Sequence, residues 1–424
     1  MRGSLFLNKS LAFAACCAGA GIYYQYNLSR ATMWKDNGNR VYAWGAGMHG
    51  QLGLGEEQFS VDVPTEVEEL SDKNIIKITA GGDISAALSD EGDIYLFGKT
   101  KGGAMGGSGK TFTTNLTLPT LFEFQDAKFK HVSCGRTHCA AITNDGRIVT
   151  WGNPDNGKLG HGETSTEKAY KPKNYADRAE ADFVNGELEG KKIALVECGF
   201  NITVALTEDG DVYSWGFGRE GALGHGDYED TYLPKKIDSL SNITDIRCGG
   251  DFILCKDKDG NLYSSGKNTY GQLGITGQNA YKECVPTKVG LSRLASPAQF
   301  SCGEEHCSVI STSGTIWTWG YGNDGQLGHG NKNSLSTPKH IKGFKDIVSS
   351  SCGGGHSGFI LGSGELYMYG RGRDGQLGRG DVIESMAAYR TEPLRVEYLF
   401  KNEIKAKQLA LGANHSISLV SIDN

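Results

Sequence analysis

Seven copies of one short pattern run through this chain: an aromatic-Gly pair, a glycine-rich turn and a Leu-Gly step. Trp44-Gly45 leads to Gly50-Gln51-Leu52-Gly53, and Trp319-Gly320 leads to Gly325-Gln326-Leu327-Gly328. The other lead positions are Phe97, Trp151, Trp215, Ser265 and Tyr369, which sets steps of 53, 54, 64, 50, 54 and 50 residues. A fixed period of this length predicts a toroidal or solenoid repeat, and it outranks any local motif.

Each repeat has a second half upstream of the aromatic. It reads as an apolar strand, a Cys-Gly or Gly-Gly step, a second apolar strand, a turn dipeptide, and the strand that ends in the aromatic. Val132-Ser133-Cys134-Gly135, Cys139-Ala140-Ala141-Ile142, Asp145-Gly146 and Ile148-Val149-Thr150-Trp151 form one example. The turn recurs as Asp209-Gly210 and Asp259-Gly260, and as Glu91-Gly92, Ser313-Gly314 and Ser363-Gly364. Such dipeptides between β-prone runs are strong hairpin signals. About four short antiparallel strands per repeat predict a propeller blade. The last upstream half, Leu409 to Val420, has no aromatic half after it, and the first aromatic half, Val41 to Gly55, has no upstream half before it. Together they predict a seventh blade closed by the two chain ends, which leaves no open sheet edge.

The motif aromatic-Gly-x-Gly-x-x-Gly-Gln-Leu-Gly, with its Cys-Gly-x-x-His partner half, resembles the regulator of chromosome condensation repeat family. The resemblance covers about residues 38 to 424. It implies an all-β, seven-bladed propeller over 36–424, acting as a monomeric ring. Two repeats depart from the pattern: Ser265 replaces the aromatic, and Gly102-Gly103-Ala104-Met105-Gly106 replaces the usual turn.

Length alone allows two or three domains, but the repeat makes one ring. The net charge of −6 argues against a nucleic-acid surface. Residues 1–35 read as a targeting or membrane-anchor segment with a short helical membrane portion. No acidic residue precedes Asp36, and Arg2, Lys9, Arg30 and Lys35 flank the apolar run Leu11 to Tyr24. Leu5 to Leu28 reaches membrane-spanning length only by including Asn8, Lys9, Gln25 and Asn27. Three readings compete: a mitochondrial presequence or inner-membrane anchor, which the basic, Ala-rich composition favours; a secretory signal peptide with Ala18-Gly19-Ala20 as cleavage site; and a cytosolic chain with an incidental apolar start.

The 11 cysteines favour a reducing compartment. Cys134, Cys198, Cys248, Cys302 and Cys352 repeat at one position, and Cys139 and Cys307 at another. They read as small buried residues and not as a disulfide framework. Sequons at Asn201 and Asn414 fall in strands with no room for a glycan.

Motifs that suggest chemistry dissolve into the repeat. Gly45, Gly47 and Gly50 match a dinucleotide fingerprint, but the match recurs at Gly216, Gly320 and Gly370 with no helix after it. Ala104 to Thr111 fits a relaxed phosphate loop, yet a β-prone run ending at Pro119 follows, so no helix dipole is available. His138, His306, His356 and His415 recur at Gly-x-x-His; spread around a ring they cannot share one zinc ion, and a ring N–H bonded to backbone is the expectation. No triad, carboxylate pair or metal cluster supports an enzyme, and no cofactor or metal is expected.

The founding member of the resembled family is an exchange factor for a small GTPase. The resemblance implies that an acid near a channel-facing loop helps expel nucleotide. The equivalent position here holds Asp83, Thr137, Asn201, Asp251, Glu305, Gly355 and Asn414, so Asp83, Asp251 and Glu305 are the candidate exchange acids. The segment 163–192 is longer than its counterparts and charged, with Lys168, Lys171, Lys173, Asp177, Arg178, Glu180 and Asp182. It is the candidate partner-binding feature, with a short helix expected over Tyr175 to Val184. The family also has a mitochondrial, membrane-associated branch, which this N-terminus resembles. That branch implies a scaffold aiding assembly of respiratory-chain or mitoribosomal complexes; exchange on a small organellar GTPase is the alternative. Partners are then proteins, with a membrane contact through residues 5–28.

Overall fold

A computed structural model describes residues 38–55, 58–100, 106, 114–162, 180–275, 281–291, 296–380 and 389–422. The segment 5–28 therefore lies outside the described residues, and among those described no helix is long and apolar enough to cross a membrane.

The strands form seven four-stranded antiparallel sheets. Six follow the chain: blade I over 75–122, II over 129–183, III over 193–236, IV over 243–288, V over 297–340 and VI over 347–395. Blade VII mixes the ends: Ile404–Leu411 and His415–Ile422 pair with Asn39–Gly47 and Gln58–Glu66. Asn39 faces Ser421 and Gly45 faces His415 in an unbroken register. The expected closure by the two termini is thus the observed one.

Blade II shows how the repeat builds each sheet. Phe129–Cys134 lies innermost, His138–Thr143 and Ile148–Gly152 follow, and Asp145-Gly146 makes the hairpin with Gly146 at φ +95°, a conformation glycine adopts freely. The fourth strand is Asp182–Phe183. This corrects the helix expected over 175–184 in its described part. Asp182 and Phe183 pair with Thr150 and Val149, and the Phe183 ring packs edge-on against Phe124 beneath the Arg147 guanidinium. Those contacts hold the segment extended.

The aromatics of the repeat are interblade wedges. Trp44, Phe97, Trp151, Trp215, Trp319 and Tyr369 are fully buried. Most rest on the Leu-Gly glycine of the preceding blade: Phe97 on Gly53, Trp215 on Gly160, Trp319 on Gly274, Tyr369 on Gly328 and Trp44 on Gly378. A side chain at those glycines would strike the ring. At Ser265 the wedge comes from elsewhere: Pro286 stands over Gly224, and the Ser265 hydroxyl donates to Ala222 O.

At one end of the ring, neighbouring blades are joined through backbone hydrogen bonds. Gly82 N–H donates to Gly135 O, Arg136 to Gly199, Phe200 to Gly250, Gly250 to Glu304, Glu304 to Gly353 and Gly354 to Gly412. Ala413 N–H returns to Gly81 O at 3.0 Å. These seven bonds link every blade to the next. They demand backbone approaches that a side chain at Gly81 or Gly353 would block.

Candidate functional site

The same end carries the candidate acids. In each blade the residue before the His position accepts, through its carbonyl, a bond from the start of the glycine-rich turn. Lys99 N–H donates to Asp83 O, Lys267 N–H to Asp251 O and Tyr321 N–H to Glu305 O, each at 2.9 Å. The acids and the turns therefore share one mouth of the central channel. The fingerprint-like glycines serve this turn, though not all through positive φ. Gly216 sits at φ +112°, whereas Gly218 is needed because a Cβ there would collide with Glu229 O.

The three acids do not form one group. Asp83 binds Lys99 Nζ at 3.1 Å, with His49 Nε2 at 3.8 Å. Glu305 binds Lys267 Nζ at 2.7 Å. Asp251 shares that neighbourhood. Burial pushes its carboxyl above the usual range, Lys267 and Arg136 oppose the shift, and Glu220 and Glu305 add to it. Its Oδ1 is buried without a hydrogen bond. Asp251 and Glu305 thus belong to one cluster on blades IV and V, and Asp83 stands apart on blade I.

Glu304 is a member the motif reading missed. Burial raises its carboxyl, Arg136 and Arg371 oppose, and Glu305 and Asp251 contribute. Arg136 lies over the Phe200 ring at 4.5 Å, and Arg371 faces Asp324 at 3.8 Å. The signal was available: Arg136, Phe200 and Glu304 all occupy the first variable position of Gly-x-x-His. The cluster is a partly buried patch of alternating charge with an aromatic beside it.

The histidines do more than the expected backbone bond, which His138 and His356 make to Ile202 and His415. Each donates through Nε2 to a hydroxyl of the next blade: His138 to Thr203 at 2.9 Å, His306 to Ser357 at 2.7 Å, His356 to Ser416 at 3.1 Å and His415 to Ser85 at 2.9 Å. Each hydroxyl in turn donates to a carbonyl of the glycine-rich turn: Lys158, Gln326, Gln376 and Gln51. The hydroxyl proton is therefore committed, and the ring supplies the Nε2–H. Burial drives all four imidazoles down, His306 to about 3 and His415 to about 4. They are neutral interblade staples. Blades I, III and IV carry Ile84, Ile202 and Phe252 instead, and their neighbours offer Cys139, Ile253 and Cys307 in place of a hydroxyl.

Among the described residues no three His, Cys, Asp or Glu side chains are placed to hold a metal ion, and the nine described cysteines are free thiols. Cys134 and Cys139 oppose each other across two strands at 3.5 Å. Asn201 sits in the mouth loop and not in a strand, and its Oδ1 accepts from Lys158 Nζ. Of the insertion residues, Glu180 and Asp182 are exposed, while Lys168, Lys171, Lys173, Asp177 and Arg178 lie outside the described residues, as does the phosphate-loop-like run apart from Gly106.

This geometry is that of a seven-bladed propeller closed by its two termini, and comparison with known proteins places it further. The RCC1-like domain family matches residues 40–418, and the chain belongs to that family. It is 31% identical over 352 residues to the ultraviolet-B receptor UVR8 of Arabidopsis thaliana, covering 72% of this chain and 78% of that one. It is 31% identical over 291 residues to the mitochondrial RCC1 domain-containing protein RUG3 of the same plant, covering 68% of this chain and 63% of the relative, just under two thirds of its length. Of the human E3 ubiquitin-protein ligase HERC2, which it matches at 33% identity over 72% of this chain, it spans only 6%. The crystal structure of Prp20p from Saccharomyces cerevisiae superposes with a TM-score of 0.79 at 20% identity, over 91% of this chain and 92% of the other, which bears on the fold alone.

Proposed function

We propose that this protein is a mitochondrial protein-interaction scaffold, tethered to the inner membrane through residues 5–28, that aids assembly of respiratory-chain or mitoribosomal complexes. The observation that carries the scaffold reading is the state of the channel mouth. Asp83 and Glu305 are each held by a lysine of their own chain. Acids so neutralised are ill suited to repulsive expulsion of a phosphate, which counts against exchange at the mouth. The basic, acid-free N-terminus and the mitochondrial relative RUG3 support the location. The charged insertion 163–192 is the proposed partner contact.

The second reading is exchange on a small organellar GTPase. It rests on Asp251, which stands in the mouth cluster with a buried Oδ1 that lacks a hydrogen bond. Nucleotide release from candidate organellar GTPases, measured with wild type and with Asp83→Ala, Asp251→Ala and Glu305→Ala, separates the two. Acceleration by wild type that one substitution abolishes, with the ring still folded, overturns the scaffold reading.

A further inference from the structure

Cys134, Cys198, Cys248, Cys302 and Cys352 end the innermost strands of blades II to VI. Across the hairpin from them stand Cys139, Thr203, Ile253, Cys307 and Ser357. Of these blades, II and V therefore set a thiol against a thiol. The Sγ atoms of Cys134 and Cys139 lie 3.5 Å apart, and those of Cys302 and Cys307 4.0 Å apart.

The backbone sets up that approach. Gly135 N–H donates to His138 O, and Gly303 N–H to His306 O, so the next pair along each ladder is a non-hydrogen-bonded one. In blade II, Cys134 N–H accordingly turns outward, to Thr79 Oγ1 of blade I. Non-hydrogen-bonded pairs hold their Cα atoms about 4.5 Å apart with both side chains on one face. That is inside the window of about 4.4–6.8 Å that a disulfide spans, so side-chain rotation without backbone movement can join the sulfurs. The pairs also have an entrance. The innermost strands enclose a central channel of about 1220 Å³, lined by Cys134 and Cys302 but not by Cys139 or Cys307. Burial, and then the opposed thiol, push Cys139 and Cys307 up, so the channel-lining sulfur meets a reagent first. Each pair spans the base of a loop at the mouth. Arg136 stands in one loop and Glu304 and Glu305 in the other, and the three belong to the charged cluster of the mouth.

We propose that Cys134–Cys139 and Cys302–Cys307 are two reversible dithiol–disulfide couples, oxidised by a small disulfide that enters the central channel, and that oxidation fastens the mouth loops carrying Arg136 and Glu304. The channel-lining thiolate attacks one sulfur of the reagent. An S–S bond forms, the reagent's own S–S bond breaks, and one thiolate leaves. The inner thiolate then attacks the channel-lining sulfur and displaces the second half of the reagent. Each cysteine's proton ends on a departing thiolate, so the dithiol is oxidised to a disulfide and the reagent is reduced to two thiols. Only four residues separate the cysteines of each pair. So short a loop constrains the unfolded chain little, and the bond stays reducible by ordinary thiols.

Cys198 and Cys352 are controls built into the chain, lining the same channel opposite Thr203 and Ser357. The full-length protein is brought to constant composition at about pH 8 in equal concentrations of bis(2-hydroxyethyl) disulfide and 2-mercaptoethanol, and each cysteine is assigned by mass spectrometry after alkylation. A thiol held opposite outcompetes a millimolar external thiol by about tenfold or more. Internal disulfide should exceed mixed disulfide by that factor at Cys134 and Cys302, while Cys198 and Cys352 form no internal one. Trypsin cuts after Arg136, so the blade II product appears as two joined peptides. Cys134 and Cys302 left as free thiols, or stopped at the mixed disulfide, overturn the proposal, as does a bond from Cys134 to any cysteine other than Cys139. Cys139→Ser gives blade II the residue that blade VI carries as Ser357, and should leave Cys134 as the mixed disulfide; an internal disulfide at Cys134 in this variant refutes the pair. If the variant does not fold, the wild-type contrast of Cys134 with Cys198 and Cys352 decides. Hydrogen exchange reads the fastening. Arg136 and Glu304 N–H, bonded to Gly199 O and Gly353 O, should exchange about fivefold more slowly in the oxidised protein than in the reduced one, with Gly354 N–H of blade VI as the unchanged reference. Equal rates in the two states refute the fastening.

Discussion

The staple between His415 and Ser85 joins the closing blade to the first one, so its loss acts where the ring is completed. In Ser85→Ala the His415 Nε2–H and the Gln51 carbonyl both lose their recorded hydrogen-bond partner inside the protein. Ser85 and His415 are both fully buried. An unsatisfied buried donor costs about 1–3 kcal/mol, and the carbonyl adds to that, so about 2–4 kcal/mol is expected. The chain itself contains the replacement. At the same two positions blades IV and V carry Phe252 and Cys307, and the Cys307 thiol donates to Gln272 O at 3.5 Å. His415→Phe combined with Ser85→Cys should therefore fall within about 1.5 kcal/mol of wild type, the range of a tolerated repacking. His415→Phe alone, Ser85→Cys alone and the double form a thermodynamic cycle, read by urea unfolding with a common m-value. Coupling of about 1 kcal/mol or more in favour of the double supports the account. Additive effects, or a Ser85→Ala cost below about 0.5 kcal/mol, refute the staple as an energetic element.

Other outcomes follow from the same structure. Four neutral buried histidines take up no proton in the folded ring until well below pH 6.5, while the unfolded chain does so near 6.5. Their contribution is present in full above pH 6.5 and is lost as the pH falls below it, down to about 4 for His415 and about 3 for His306, by up to about 1.4 kcal/mol per pH unit for each histidine; urea midpoints at pH 7.5 and 5.5 check the sign. Deleting residues 409–424 removes His415–Ile422 from the middle of blade VII and should unfold the whole ring, so a truncated protein melting at the wild-type temperature contradicts the closure. Removing residues 1–35 should abolish mitochondrial targeting, and carbonate extraction should leave the intact protein on the membrane; release into the soluble fraction contradicts the tether.

Most of the fold was legible because its punctuation is chemical. Hairpin dipeptides such as Asp145-Gly146 and the Cys-Gly-x-x-His step mark three strands of each blade, and the orphan halves at the two ends imply closure. What escaped was relational. The hydroxyl partner of His138 is visible only when blade II is compared with blade III, where Thr203 stands. The compensation for Ser265 comes from Pro286, on the outermost strand of the same blade. Glu304 was missed because only the second variable position of Gly-x-x-His was weighed for charge. The helix expected over 175–184 gave way, in its described part, to an extended edge, because Phe183 finds Phe124 and Arg147 to pack against. A charged stretch read without those neighbours favours helix on propensity alone. Of the candidate contacts, the mouth acids follow from repeat register, whereas the insertion has no register to read.

The central claim is that partners are recruited through the insertion and not through the mouth acids. Its most direct test is quantitative co-isolation from mitochondria of wild type, a variant with 163–189 shortened, and a variant carrying Asp83→Ala, Asp251→Ala and Glu305→Ala, each shown to be folded. The expected result is loss of partner recovery in the shortened variant and retention in the triple variant. Retention in the shortened variant with loss in the triple variant contradicts the claim and moves the contact to the channel mouth.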